Sequence, residues 1–163
     1  MESHFESPTL GARSVTEMLH DIARIVQEDP ESFYRLIIGT DSLVKVVNNK
    51  KQCDFVTAIV VHKVGSGARY FWRKEKLFRA PSLREKIYTE TLTSLRTANE
   101  IVPELKLLLS GAHYELEIHI DVGTVGPTRE MIREVVGMVT GNGYTAKTKP
   151  ESWAASTVAD KYT

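Results

Sequence analysis

The chain has 163 residues, of which 42% are hydrophobic and 26% charged, and this composition excludes a largely disordered protein. Its 21 basic and 21 acidic residues give a formal net charge of zero, which argues against constitutive binding to duplex nucleic acid. The single cysteine, Cys53, excludes an internal disulfide framework and a multi-cysteine zinc site. With no recognisable signal sequence and no apolar run long enough for a bilayer, we expect one cytoplasmic domain and no membrane partner.

The N-terminal part is predicted to be a loose tail followed by an amphipathic helix. Ser14 and Glu17 have the spacing of a capping box, in which Glu17 reaches back to the Ser14 backbone amide. Apolar residues then recur with a helical period to Gln27, and Asp29-Pro30 ends the pattern. We therefore assign residues 1–32 to a tail and an extra N-terminal helix packed on the domain, and residues 33–163 to the domain itself.

Three antiparallel strands are predicted next. Arg35–Ser42 is a short apolar run that ends in small polar residues, which is typical of a buried strand. Cys53–His62 and Ala68–Lys76 are the second and third strands, joined by a turn at Gly65–Gly67. The loop predicted between the first two strands carries three lysines, which are Lys45, Lys50 and Lys51. Aromatic residues of the third strand are either core residues or base-stacking residues, and they are Tyr70, Phe71 and Trp72.

The second half of the chain alternates helices and strands. A helix is predicted to begin at Ser82, followed by a separate short helix at Pro103–Leu109 and a strand at Tyr114–Asp121. The remaining predicted elements are a helix at Thr128–Thr140, a strand at Tyr144–Lys149, and a final helix that begins at Pro150 and includes Trp153. An antiparallel meander followed by crossover helices predicts an α/β fold. Its five-stranded mixed sheet has helices on both faces.

Two aspartates follow strands that we expect to be parallel neighbours. Asp41 ends the first predicted strand and Asp121 ends the fourth. Adjacent strands are about 4.8 Å apart, so two carboxylates at the same sheet edge can share a divalent cation such as Mg²⁺. The alternative is that each aspartate only caps a turn. His119 precedes Asp121 by two residues on the same strand face. We expect Glu117 or a neighbouring strand to satisfy its hydrogen bonds, and the alternative is an outer-shell partner or a third metal ligand of the site.

The order of these elements and several sequence runs resemble a known family. The runs RLIIGTDS, SLREKIYTETLTSL, EIHIDVG and KPESWAASTVADKYT are similar to the ribonuclease H-like superfamily, and within it to the YkuK-type family of bacterial proteins of uncharacterised function. The resemblance implies a third acid on the helix after the meander. Glu90, followed by Ser94 and Leu95, matches this position, and Glu85 is the alternative because it also suits a capping box with Ser82.

The same resemblance implies a fourth acid in the last helix. Asp160 fits this place, although a solvated acid near the chain end would have the same pattern. The implied activity is that of a nuclease, a Mg²⁺- or Mn²⁺-dependent phosphodiesterase. Asp41, Glu90 and Asp121 would bind two metals, Asp160 would assist, and metal-bound water would attack phosphorus. The alternative is a non-catalytic ribonuclease H-fold module for nucleic-acid binding or assembly, which the neutral net charge favours; the oligomeric state stays open.

Overall fold

The computed structural model describes residues 4–152 and 154–162. The strands are β1 (His4–Ser7), β2 (Gly11–Ser14), β3 (Phe33–Val47), β4 (Lys50–Lys63), β5 (Ala68–Leu77), β6 (His113–His119) and β7 (Thr145–Lys147). The helices are α1 (Val15–Glu28), α2 (Leu83–Leu108), α3 (Ile132–Gly141), which follows a short 3₁₀ turn at Arg129–Met131, and α4 (Ala154–Asp160). Trp153, predicted to lie in the final helix, falls outside the described residues. No helix in the described ranges is long and apolar enough to cross a membrane.

All seven strands belong to one mixed sheet with the order β2-β1-β5-β4-β3-β6-β7. Strands β3, β4 and β5 form an antiparallel meander, and β6 and β7 are added in parallel beside β3. The mixed α/β sheet is therefore confirmed. The predicted number of five strands is wrong, because a hairpin of two short strands extends the β5 edge.

The two additional strands lie in the segment predicted to be a loose tail. Phe5 of β1 is fully buried in the main core, which anchors this edge of the sheet. Helix α1 begins at the expected capping box, in which the Glu17 amide donates to Ser14 Oγ and the Ser14 amide donates to Glu17 Oε1. Because two strands precede α1, it is an internal element of the fold and not an extra N-terminal helix. Four-residue strands are too short for a recognisable alternation, so the sequence pattern did not predict them.

Strands β3 and β4 are longer than predicted and continue through the expected lysine loop. Asn48 and Asn49 form the tight connection, both with positive φ (52° and 63°), as a two-residue hairpin turn requires. Lys45 and Lys50 therefore lie on paired strands. Asp41 lies in the middle of β3, opposite Val56, so its prediction as a strand-end residue is wrong.

Helix α2 is one continuous helix, although Pro103 was predicted to begin a second one. The ring of Pro103 removes one backbone donor, and the carbonyl of exposed Asn99 that it would have bonded can be hydrated. The helix ends before Gly111, whose positive φ of 86° lets the chain turn toward β6.

The sheet separates two hydrophobic clusters of different size. The larger one joins α1, α2 and α3 to residues such as Ile38 and Ile118. The smaller one, on the opposite face, holds Ile37, Val60 and Val158 of α4. Helices on both faces are thus confirmed. Because side chains alternate along a strand, this division also fixes the face on which each site residue lies.

Candidate active site

The parallel pairing of β3 with β6 sets Asp41 beside Asp121. The last paired residues are Gly39 and His119, and each aspartate lies two residues beyond its member of that pair. Continued at the same register, the two strands bring both carboxylates to the face that also carries Ile37 and Glu117. The side-by-side placement follows from this register, although Asp41 is not at a strand end.

Helix α2 supplies Glu90 through two hydroxyl contacts with β3. Ser94 Oγ lies 2.8 Å from Thr40 Oγ1, and one helical turn earlier Glu90 Oε2 accepts a 2.5 Å hydrogen bond from Ser42 Oγ. These contacts hold the helix against the strand and direct Glu90 inward, where only 4% of the residue is exposed. Small hydroxyl residues on the facing sides of α2 and β3 therefore hold the Glu90 carboxylate against Ser42, close enough to Asp41 for the charge of Asp41 to raise the pKa of Glu90.

Burial and mutual repulsion raise the pKa values of two of these acids. Burial, with smaller contributions from Asp121 and Asp160, raises the pKa of Asp41 to about 6. Burial, followed by the charges of Asp41 and Asp121, raises the pKa of Glu90 to about 8, although the Ser42 hydroxyl opposes the shift. The charges of Asp121 and Asp160 therefore reach Asp41, and those of Asp41 and Asp121 reach Glu90. Asp160, the last residue of α4, is the exposed member of this acid cluster, defined as Asp41, Glu90, Asp121 and Asp160.

Two lysines balance the negative charge of the acid cluster. Lys149 Nζ lies 2.9 Å from Asp121 Oδ1, and the Lys149 backbone amide donates to the Val122 carbonyl over 2.8 Å. A side chain at Gly123 would approach Lys149 Cβ to 3.1 Å, so the glycine lets this segment lie close to Asp121. Lys86, one turn before Glu90 on α2, lowers the pKa values of Asp41 and Glu90. The spacing of four residues between Lys86 and Glu90 on one helix was the one sequence signal that Lys86 lies near this carboxylate.

Carboxylate oxygens are the ligands that Mg²⁺ and Mn²⁺ prefer, so the donor set of the acid cluster fits such a cation. Among the described residues, however, no group of three His, Cys, Asp or Glu side chains is arranged to hold an ion without rearrangement. Two acids of the cluster already have other partners, since Asp121 binds Lys149 and Glu90 binds Ser42. Side-chain rotation away from these partners would therefore accompany metal binding.

Other candidate residues lie apart from the acid cluster. Glu85, the alternative to Glu90, is partly exposed and binds Arg79 through both carboxylate oxygens, one at 2.7 Å. His119 Nε2 lies 3.0 Å from Glu117 Oε1, as expected. On β5, Phe71 is a core residue and Trp72 stacks on Tyr162 with ring centroids 4.0 Å apart. These contacts favour the structural interpretation of both aromatic residues.

Comparison with known proteins identifies the family of the chain. The profile of the Ribonuclease H-like family matches residues 17–163, which include every residue of the acid cluster. The chain belongs to the ribonuclease H-like family. It is also 36% identical over 157 residues to the "Uncharacterized protein YkuK" of Bacillus subtilis (strain 168), an alignment that covers 90% of this chain and 89% of that protein. No solved structure matches the chain at a significant level. Membership of the ribonuclease H-like family shows the fold and is consistent with a function related to nucleic acid.

Proposed function

We propose that this ribonuclease H-like protein is a Mg²⁺- or Mn²⁺-dependent phosphodiesterase that hydrolyses nucleic acid. The observation that carries the proposal is the convergence of Asp41, Glu90 and Asp121 from three separate elements, β3, α2 and the segment after β6. A fold without such a function would gain nothing from bringing these acids together, because burial and repulsion of carboxylates cost stability.

Asp41, Glu90 and Asp121 would hold the cation, with Asp160 at the exposed rim. The bound ion would neutralise the phosphate and activate a water molecule. Ser42 fixes the position of the Glu90 carboxylate by donating its hydroxyl hydrogen to Glu90 Oε2. Lys149, once its ammonium group leaves Asp121, is next to the site and available for a non-bridging phosphate oxygen.

A cleavage assay tests the proposal. Labelled single-stranded RNA, single-stranded DNA, duplex DNA and an RNA–DNA hybrid are incubated with the protein in Mn²⁺ or Mg²⁺. We expect cleavage of at least one substrate, and a loss of about a hundredfold or more in Asp41→Asn and in Asp121→Asn. Glu85→Gln is the matched control, because this helix acid binds Arg79 outside the cluster.

Unchanged cleavage in both aspartate variants would contradict the proposed site. Binding of nucleic acid without cleavage in either metal would instead identify a non-catalytic module. The absence of a preformed group of three ligands in the described part of the chain favours that second function. The assay therefore separates the two functions directly.

A further inference from the structure

Strands β3 and β4 continue well past the acid cluster as a two-stranded projection, here called the hairpin extension (residues 43–54). Beyond Gly39, β3 has no strand on its β6 side among the described residues, because β6 ends at His119. Val47 lies six positions beyond Asp41, about 20 Å along an extended strand. The extension therefore reaches from the acid cluster to a tip formed by Asn48 and Asn49.

One face of the hairpin extension is continuous with the acid cluster. Side chains alternate along a strand, so Leu43, Lys45 and Val47 lie on the same face of β3 as Asp41. Leu43 is 46% exposed and Val47 is 39% exposed, so the described part of α4 does not cover them. An open apolar strip with one lysine thus leads from Asp41 to the tip.

A cavity of about 280 Å³ lies at the tip. Its apolar wall is formed by Val47 and by Phe78, which follows β5 and is 78% exposed. Its polar wall contains Asn48, Lys50, Lys51 and Gln52. An exposed aromatic ring beside lysines is the arrangement by which proteins stack one base and bind the adjoining phosphates.

The charge of the hairpin extension is positive in a chain whose formal net charge is zero. Its one acid, Asp54, is buried and paired with Lys45 at 2.5 Å and with Lys74 at 3.8 Å. Lys50 and Lys51 are exposed and form no ion pair within residues 4–152 and 154–162. These two lysines are therefore available to an anionic partner.

From these observations we propose that the hairpin extension binds a single nucleic-acid strand and guides it to the acid cluster. Phe78 stacks on a base, and Lys50 and Lys51 contact phosphates. The apolar strip along Leu43 and Val47 leads the nucleic-acid strand toward Asp41. This inference rests on the proposed function, since it assigns the surface on which that substrate lies. A second copy of this protein fits less well, because pairing two such edges would bring lysines of like charge together.

The test measures binding without cleavage, using fluorescence anisotropy of labelled 12-nucleotide single-stranded DNA and RNA in EDTA over a series of salt concentrations. Each phosphate contact to a single strand contributes about 0.7 to the slope of log affinity against log salt. The double variant Lys50→Gln/Lys51→Gln should therefore reduce the magnitude of the slope by about 1.4. Phe78→Ala should weaken binding about tenfold and leave the slope unchanged, because stacking carries no counterion term.

The matched controls lie at the C-terminal end of α2. Lys106→Gln removes an exposed lysine, and Leu107→Ala truncates an apolar residue that is 79% exposed, close to the value for Phe78. Both controls should bind like the wild type. All variants replace exposed side chains, and circular dichroism checks that each one folds.

Binding by the hairpin variants equal to that of the wild type would overturn the proposal. Conversion of a dimer to a monomer by Phe78→Ala, measured by sedimentation with unchanged nucleic-acid affinity, would overturn it in favour of an interface between copies. Hairpin-dependent binding without any cleavage in Mn²⁺ would support the proposal while contradicting the proposed function.

Discussion

The ammonium group of Lys149 lies 2.9 Å from Asp121 Oδ1 and occupies the side of the acid cluster where a cation would neutralise the carboxylate. The backbone amide of Lys149 is bonded to the Val122 carbonyl, so this lysine is held next to Asp121 by the main chain as well. A metal ion bound at the proposed site would therefore compete with the Lys149 ammonium group for the Asp121 carboxylate.

Replacing Lys149 with methionine should strengthen Mn²⁺ binding roughly fivefold. The reason is that removing a solvent-exposed competing charge changes the binding free energy by about 1 kcal/mol. Calorimetric titration of Mn²⁺ measures the change. Lys147→Met is the matched control, since Lys147 pairs with Glu151 at 3.6 Å and not with the acid cluster. Equal affinities for the wild type and Lys149→Met would show that this lysine does not compete with the metal.

Stability should decrease with increasing pH because the pKa of Glu90 is raised to about 8 from 4.5. Between these values the native state binds more protons than the unfolded state, so the free energy of unfolding falls as pH rises. The slope is at most about 1.4 kcal/mol per pH unit for this group. Glu90→Gln should flatten the profile and be more stable than the wild type at pH 8. Urea unfolding in EDTA at pH 6, 7 and 8 measures the free energy of unfolding of the wild type and of Glu90→Gln. The same dependence on pH in both proteins would contradict the assigned burial of Glu90.

Ser42→Ala should destabilise the protein by about 1–3 kcal/mol, because it removes the hydroxyl donor from the buried Glu90 carboxylate. The loss should be larger at pH 8.5 than at pH 6, since the ionised carboxylate needs the donor more than the protonated one does. Thr40→Val is the control. This variant removes the hydrogen bonds of the Thr40 hydroxyl with the hydroxyl groups of Ser94 and Thr57, and the effect of this loss should not depend on pH. If the destabilisation by Ser42→Ala does not depend on pH, the Ser42 side chain contributes only packing and not a hydrogen bond to the ionised carboxylate.

The central part of the fold was predictable because its strands and helices carry clear periodic patterns. The meander from Arg35 to Lys76 and the strand at β6 were confirmed, and the parallel orientation of β3 and β6 follows from the crossover connection between them. The short strands β1 and β2 were not predictable, because their stability comes from pairing with β5 and from the burial of Phe5 rather than from a local pattern.

The hairpin turn had a sequence signal that we interpreted as a loop. Asn48-Asn49 between Val46-Val47 and the lysines suits a two-residue turn, but the many charged residues favoured a solvated connection. In the site, the resemblance indicated Glu90, whereas its support by Ser42 and the contact of Lys149 with Asp121 depend on tertiary packing. Ser42 and Glu90 are 48 positions apart and Asp121 and Lys149 are 28 apart, so no local pattern could reveal either partner.

Glu85→Gln should leave metal binding unchanged, because Glu85 binds Arg79 and has its pKa lowered by that contact. The free energy of unfolding of the Glu85→Gln variant should differ from that of the wild type by no more than about 1 kcal/mol, as expected for the loss of an exposed ion pair. Glu90→Gln, on the same helix, should lose Mn²⁺ binding. Calorimetry on the two variants compares them directly, and the reverse result would make Glu85 the helix carboxylate of the site.

Calorimetric titration of Mn²⁺ and Mg²⁺ into the wild type and Asp41→Asn is the most direct test of the acid cluster as a metal site. We predict that the wild type binds metal and that Asp41→Asn loses the binding, because the β3–β6 register sets Asp41 beside Asp121 and the charge of Asp41 raises the pKa of Glu90. Affinity in the wild type should rise from pH 6 to pH 8 as the proton on Glu90 becomes easier to displace. Binding that is the same in both proteins, or no binding in the wild type at millimolar metal, would contradict the account.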